Sequence, residues 1–138
     1  MGSEVFVDTA YVVAIASRLD QHHAAATRFA SRLSSGTRLV TTRAVCLEVA
    51  NALCATQYRA KGLQLLTGLE KDPRFEVVPL SEELYAEGMA LFSARQDKEW
   101  SLTDCISFLV MEDRGIRTAL TADHHFRQAG FEPLLGAA

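Results

Sequence analysis

Three observations predict an α/β sandwich around a mostly parallel sheet of four or five short strands. Short apolar runs of strand length recur along the chain, and most are followed by a stretch of helical periodicity. The 138 residues, 49% of them hydrophobic, suffice for one core. No linker rich in Pro, Gly or Ser and no internal repeat divides them, so residues 1–138 read as a single domain.

Glu4 to Val7 (EVFV) is an apolar strand ending at Asp8, and Thr9 to Ala16 continues as the first turns of a helix. Residues 22 to 34 carry Ala25, Phe29, Ala30 and Leu33 at helical spacing, and Ser34-Ser35-Gly36 stops that helix. Leu39-Val40-Thr41 reads as the next strand. From Arg43 to about Ala60, Val45, Val49, Ala52, Leu53 and Tyr58 mark a long helix, and after a break a shorter one runs from Gly62 to Leu69. Phe75 to Val78 (FEVV) is a third strand, punctuated by Pro73 before it and Pro79 after it. Ser81 opens a helix to about Arg95, with Glu82 and Glu83 favoured in its first turn by the helix dipole. The segment from Thr103 to Glu112 is apolar nearly all round, as the most buried helix should be. Arg117 to Leu120 is a strand, Asp123 to Gln128 a short helix capped by Gly130, and Phe131 to Leu134 a last short strand.

Composition removes several function classes. The longest uncharged apolar run, Thr9 to Ser17, is too short to cross a bilayer, so no membrane association is expected. The start, Met-Gly-Ser-Glu, has no basic leader region, which points to a cytoplasmic protein. Cys46, Cys54 and Cys105 are odd in number, form no CxxC pair and lie in apolar helical patterns, so they read as buried small hydrophobes. The net charge of −3 gives no bulk attraction for nucleic acid. Neither GxxxxGK[ST] nor GxGxxG occurs, so a nucleotide-binding loop is not supported.

In open α/β sheets, chemistry gathers beyond the carboxyl ends of the strands, and that is where the acids stand. Asp8 ends the first strand, Asp123 follows the Arg117 to Leu120 strand, and Asp104 begins the most buried helix. Each of the three, taken singly, also reads as a helix N-cap. Glu48 differs. Its neighbours one turn away are Ala44, Val45, Asn51 and Ala52, a small and mostly apolar face on which a carboxylate is costly unless paired or liganded. Converging acids repel unless a cation neutralises them, and an all-oxygen set selects a hard ion such as Mg²⁺, with Mn²⁺ as a substitute. Such an ion suits phosphoryl chemistry.

Four segments then resemble a known family: Val7-Asp8-Thr9, Thr41 through Glu48 to Leu53, Trp100 through Asp104 to Cys105, and Ala119 through Asp123 to Phe126. In order along essentially the whole chain, with Asp20-Gln21-His22-His23 and Ala129-Gly130-Phe131 between and after, they are similar to the blocks of PIN-domain ribonucleases, including the small VapC-type toxins of toxin-antitoxin pairs. The resemblance implies a PIN-like three-layer sandwich and a Mg²⁺-dependent endoribonuclease. Asp8 and Asp104 would be the first metal ligands, and Glu48 and Asp123 would complete the pocket. Thr9 and Thr103, beside two of these acids, would support them. It further implies a homodimer and an antitoxin partner that blocks the pocket. Tyr11, Val12, Ile15, Leu19, Tyr58 and Leu65 are candidates for apolar contacts with such partners.

Other readings stay open. Arg43, at the start of the Glu48 helix, is the best candidate for a phosphate contact with RNA. A non-cleaving RNA- or protein-binding module would keep the same pocket. A metal-dependent phosphatase using Asp8 as nucleophile would want a second Asp two residues on, where Ala10 stands. A zinc site on His22-His23 and His124-His125 lacks a cysteine at ligand spacing, and both pairs read as solvated residues at helix starts.

Overall fold

A computed structural model of the chain describes residues 4–136. The Met-Gly-Ser start, expected to carry no leader, lies outside the described residues. Five strands and seven helices alternate along the described chain: β1 (Glu4–Val7), α1 (Thr9–Ala16), α2 (His23–Arg32), β2 (Arg38–Thr42), α3 (Arg43–Ala52), α4 (Thr56–Lys71), β3 (Phe75–Val78), α5 (Glu82–Ala94), α6 (Leu102–Arg114), β4 (Thr118–Leu120), α7 (His124–Gln128) and β5 (Glu132–Pro133). The strands form one sheet in the order β3-β2-β1-β4-β5, and every pairing is parallel. The α/β expectation is borne out, with a fully parallel sheet of five strands.

Register follows from burial. Phe6 and Val7 are fully enclosed, as are Val40, Ala119 and Leu120 on the flanking strands, a continuous apolar run that suits a sheet covered on both faces. Val7 pairs with Leu120, so β1 and β4 end side by side. The chain winds from β1 outward through β2 to β3, then returns to the other side of β1 for β4 and β5. The point of reversal lies between β1 and β4, and a crevice forms there beyond the strand ends.

The apolar segment of α6 is the most enclosed helix: Asp104, Cys105, Ile106, Ser107, Phe108, Val110 and Met111 are all buried. Phe108 stacks edge-on against Trp100 and Phe126, tying the start of α6 to α7. Helix α6 ends at Gly115, whose φ of 69° is the left-handed cap that glycine adopts without a Cβ penalty.

Two expectations are corrected. The interruption expected between Ala60 and Gly62 falls instead at residues 53–55, and α4 runs unbroken through Gly62. Gly62 is buried, and a Cβ there would stand 3.0 Å from Leu53 Cβ, so the glycine marks the close return of α4 onto the end of α3. Cys54 lies in this break and is exposed, whereas Cys46 and Cys105 are buried as expected. Tyr11 and Val12 belong to the core, while Leu19 projects into solvent.

Candidate active site

The first carboxylate is placed by β1. Asp8 follows Val7 at the N-cap position of α1, yet its side chain makes no capping hydrogen bond. Instead Asp8 Oδ2 accepts a hydrogen bond of 2.8 Å from the hydroxyl of Thr121, just past the end of β4. Parallel pairing of β1 with β4 brings these two residues together. Asp8 is buried, and burial pushes its carboxyl up to about 7 from an ordinary value of 3.8. The Thr121 hydrogen bond opposes that rise, while the charges of Asp104 and Glu48 add to it.

Asp104 is placed by a reciprocal cap at the start of α6. Its backbone N–H donates to Ser101 Oγ at 3.0 Å, and its Oδ2 accepts from the Ser101 backbone N–H at 3.1 Å. The cap accounts for only part of its environment. The His125 ring nitrogen Nδ1 also lies 3.0 Å from Asp104 Oδ2. Burial raises the Asp104 carboxyl above its ordinary value, helped by the charge of Asp123 and opposed by the Ser101 and His125 contacts.

Asp123 caps α7, with Oδ1 accepting from the His125 backbone N–H at 2.9 Å. Its own N–H donates to Thr121 Oγ1 at 3.0 Å, so one hydroxyl positions both Asp8 and Asp123. Glu48, half-buried on α3, accepts a 2.5 Å hydrogen bond from Thr9 Oγ1. The Thr9 hydroxyl therefore serves Glu48 rather than its neighbour Asp8. Thr103 lines a 240 Å³ groove together with Glu48, Leu47, Tyr85 and Ile106.

Arg43 stands apart from this cluster's hydrogen bonds. It is engaged by Glu70 of α4, Nη1 to Oε2 at 2.6 Å and Nη2 to Oε1 at 3.4 Å. Among the described residues no Lys or Arg salt-bridges Asp8, Glu48, Asp104 or Asp123; the nitrogen-bearing side chains close by are histidines. Buried carboxylates without a guanidinium or ammonium partner are what a bound cation would compensate, and the oxygen-rich donor set fits Mg²⁺ or Mn²⁺. The residues present therefore fit a hard divalent ion.

Two members of the cluster escaped the sequence reading. Thr121 gives no periodic signal; its cue is a hydroxyl at a strand end two residues before an acid. His125 was expected in solvent at the helix start, but its side chain is only 18% exposed. His124 fits that expectation at 75%. His22 and His23 take no part, the latter's Nδ1 lying 2.7 Å from the Ala14 carbonyl oxygen.

The family model for the PIN domain matches residues 5–132. The chain belongs to the PIN-domain family. The match encloses all four acids, so the family's resemblance noted in the sequence is borne out over nearly the whole chain. A crystal structure of Mycobacterium tuberculosis VapC20, described as a sarcin-ricin loop cleaving toxin, superimposes with a TM-score of 0.83 at 23% identity. The alignment covers 92% of this chain and 95% of that one, and establishes a shared PIN fold. Among curated proteins, none matches the sequence.

Proposed function

We propose that this PIN domain, read as one unit over residues 1–138, is a metal-dependent endoribonuclease and the toxin of a toxin-antitoxin pair. The observation that carries the reading is the gathering of Asp8, Asp104 and Asp123 by Thr121 and His125 beyond the ends of β1 and β4, with no Lys or Arg among the described residues paired to them. The toxin assignment is supported by the likeness to VapC20, a toxin that cuts the sarcin-ricin loop, and makes a structured RNA hairpin the first substrate to try.

Asp8, Asp104 and Asp123 would hold Mg²⁺ or Mn²⁺. A bound ion supplies positive charge that offsets the carboxylates and the phosphate and makes water at the site more acidic. Glu48, oriented by the Thr9 hydroxyl, accepts the proton that water loses as it attacks. The new bond forms between water oxygen and phosphorus, the bond from phosphorus to O3′ breaks, and the strand is cut. Thr121 holds Asp8 in place throughout, whereas Thr103 lies on the groove wall with Glu48. Arg43 can reach an RNA phosphate only by leaving Glu70.

The partners follow the same reading. No helix among the described residues is long and apolar enough to cross a membrane, and the proposed site of action is the cytoplasm, where the RNA is. A second copy of the chain is proposed to cover α5, where Tyr85, Met89 and Phe92 are exposed at helical spacing beside Leu47 of the groove. The antitoxin is proposed to close the acidic pocket. Incubating total cellular RNA with purified protein, with Mg²⁺, with Mn²⁺ and with EDTA, tests the nuclease. Discrete fragments that need the metal and disappear in Asp104→Asn are expected. An antitoxin-free protein that binds RNA uncut favours the binding module, and turnover of a small phosphate ester without RNA cleavage favours the phosphatase.

A further inference from the structure

The groove beside the acidic site has a chemistry of its own. It encloses 240 Å³ between α3, α5 and α6, and Glu48 and Thr103 form part of its wall, so it is continuous with the acids. Its floor is apolar and fixed. Ile106 is buried, and a Cβ on Gly88 would stand 2.7 Å from Ile106 Cγ1 and 3.5 Å from Leu102 Cδ1, so α5 lies directly on both side chains. Leu47 and the ring of Tyr85 line the groove and are exposed.

One side-chain amide enters this apolar setting. Asn51 is exposed and lines the groove three residues after Glu48 on α3. Residues three apart on a helix share a face, with about 5–6 Å between Cβ atoms, so the amide stands beside the carboxylate proposed to take the proton of the attacking water.

The lining discriminates among the parts of an RNA strand. Among the described residues no Lys or Arg lines the groove, and its charge is the single negative one of Glu48, so a phosphate is disfavoured there. Apolar walls with an aromatic ring and an amide are the setting in which an unstacked base is held, by stacking and by hydrogen bonds to its edge. An amide places a donor and an acceptor side by side, the pattern that pairs with the N6 amino group and N7 of adenine. Glu48 favours the same base, because a carboxylate accepts from an amino group and repels the keto oxygen that guanine and uracil present in its place. Cytosine also carries an amino group, but its single ring offers less surface to stack.

Resting on the nuclease reading above, we infer that this groove is the subsite for an unpaired adenine next to the bond that is cut, and that Asn51 is the residue that selects it. Tyr85 is shared with the α5 face proposed for a second copy; Asn51, on α3, is not part of that face.

The full chain, free of antitoxin, is tested on randomised single-stranded RNA with Mg²⁺ and with Mn²⁺, and the cut ends are sequenced. Adenine is expected at one position flanking the cut, favoured about 10-fold in kcat/KM over each other base when defined RNAs are compared. Asn51→Ala is expected to level the four bases. Replacing the 6-amino group of that adenine by hydrogen is expected to slow wild-type cleavage about 10-fold and to make no difference to Asn51→Ala, a coupling that a merely structural role of Asn51 would not produce. Cleavage with no base preference, or an adenine preference that survives Asn51→Ala, overturns the inference and leaves the nuclease reading intact. A changed light-scattering mass in Asn51→Ala without a change in base preference gives the groove to a second copy and overturns it too. Wild-type protein that cuts none of these RNAs overturns the inference together with the nuclease reading beneath it.

Discussion

At the scale of single residues, Asp8 carries the most information. It stands where a helix cap would, but its side chain caps nothing and is held by Thr121. Burial pushes its carboxyl up to about 7 in the folded protein, against an ordinary value of 3.8. Between those values the folded protein keeps a proton that the unfolded chain has released, so stability falls as pH rises through the window. For the metal-free protein the loss by pH about 8 is of order 4 kcal/mol. Urea melts in EDTA at about pH 5 and about pH 8 should show about 3 kcal/mol of that decline, and Asp8→Asn, which keeps the shape without the charge, should flatten it. A wild-type stability that rises over this range contradicts the assignment. Thr121→Val should leave Asp8 Oδ2 and the Asp123 N–H without their shared partner, costing about 1–3 kcal/mol in the fold. It should also slow RNA cleavage about 10- to 100-fold, through the ligands it orients. The four acids were legible in the sequence because strand ends and a misplaced glutamate mark them. Thr121 and His125 were not, because a hydroxyl or an imidazole has no pattern of its own. Nothing in the pair His124-His125 says which of two adjacent rings turns inward; the buried Phe126 that follows settles it.

At the scale of elements, the close approach of α5 to α6 is set by one small residue. A Cβ on Gly88 would stand 2.7 Å from Ile106 Cγ1, a contact that real side chains do not make, and Ile106 is itself buried. Gly88→Ala is therefore expected to destabilise the fold by about 1–3 kcal/mol despite the better helix propensity of alanine. Thermal melting of the variant checks it, and a raised melting temperature contradicts the packing account. The boundary between α3 and α4 shows where sequence reading failed and why. Leu53, Cys54 and Ala55 contain no Gly or Pro to announce a break, whereas Gly62 looks like a breaker and is a packing contact inside α4. Strands and the buried α6 were read nearly to the residue, because apolar runs and all-round hydrophobicity report burial directly.

For the whole molecule, strand order places the chemistry. The reversal between β1 and β4 puts Asp8 beside Thr121, and α6 and α7 deliver Asp104 and Asp123 to the same crevice. Alternating strands and helices made the location of this site legible; the order of strands was not, because it depends on contacts far apart in sequence. Nor did periodicity show that Tyr85, Met89 and Phe92 stay exposed, since the same spacing describes a buried face. If a second copy covers them, light scattering should report a dimer for the wild type and a monomer for Phe92→Lys, and a wild-type monomer at micromolar concentration contradicts that interface. The central claim, hydrolysis by water at a metal-binding carboxylate cluster, is tested most directly by the chemistry of the cut ends. A defined RNA cleaved with Mn²⁺ should yield 5′-phosphate and 3′-hydroxyl ends, with no cleavage in EDTA or by Asp104→Asn. Ends bearing a 2′,3′-cyclic phosphate, or cutting that persists in EDTA, would show the neighbouring 2′-hydroxyl attacking without a metal and would contradict the account.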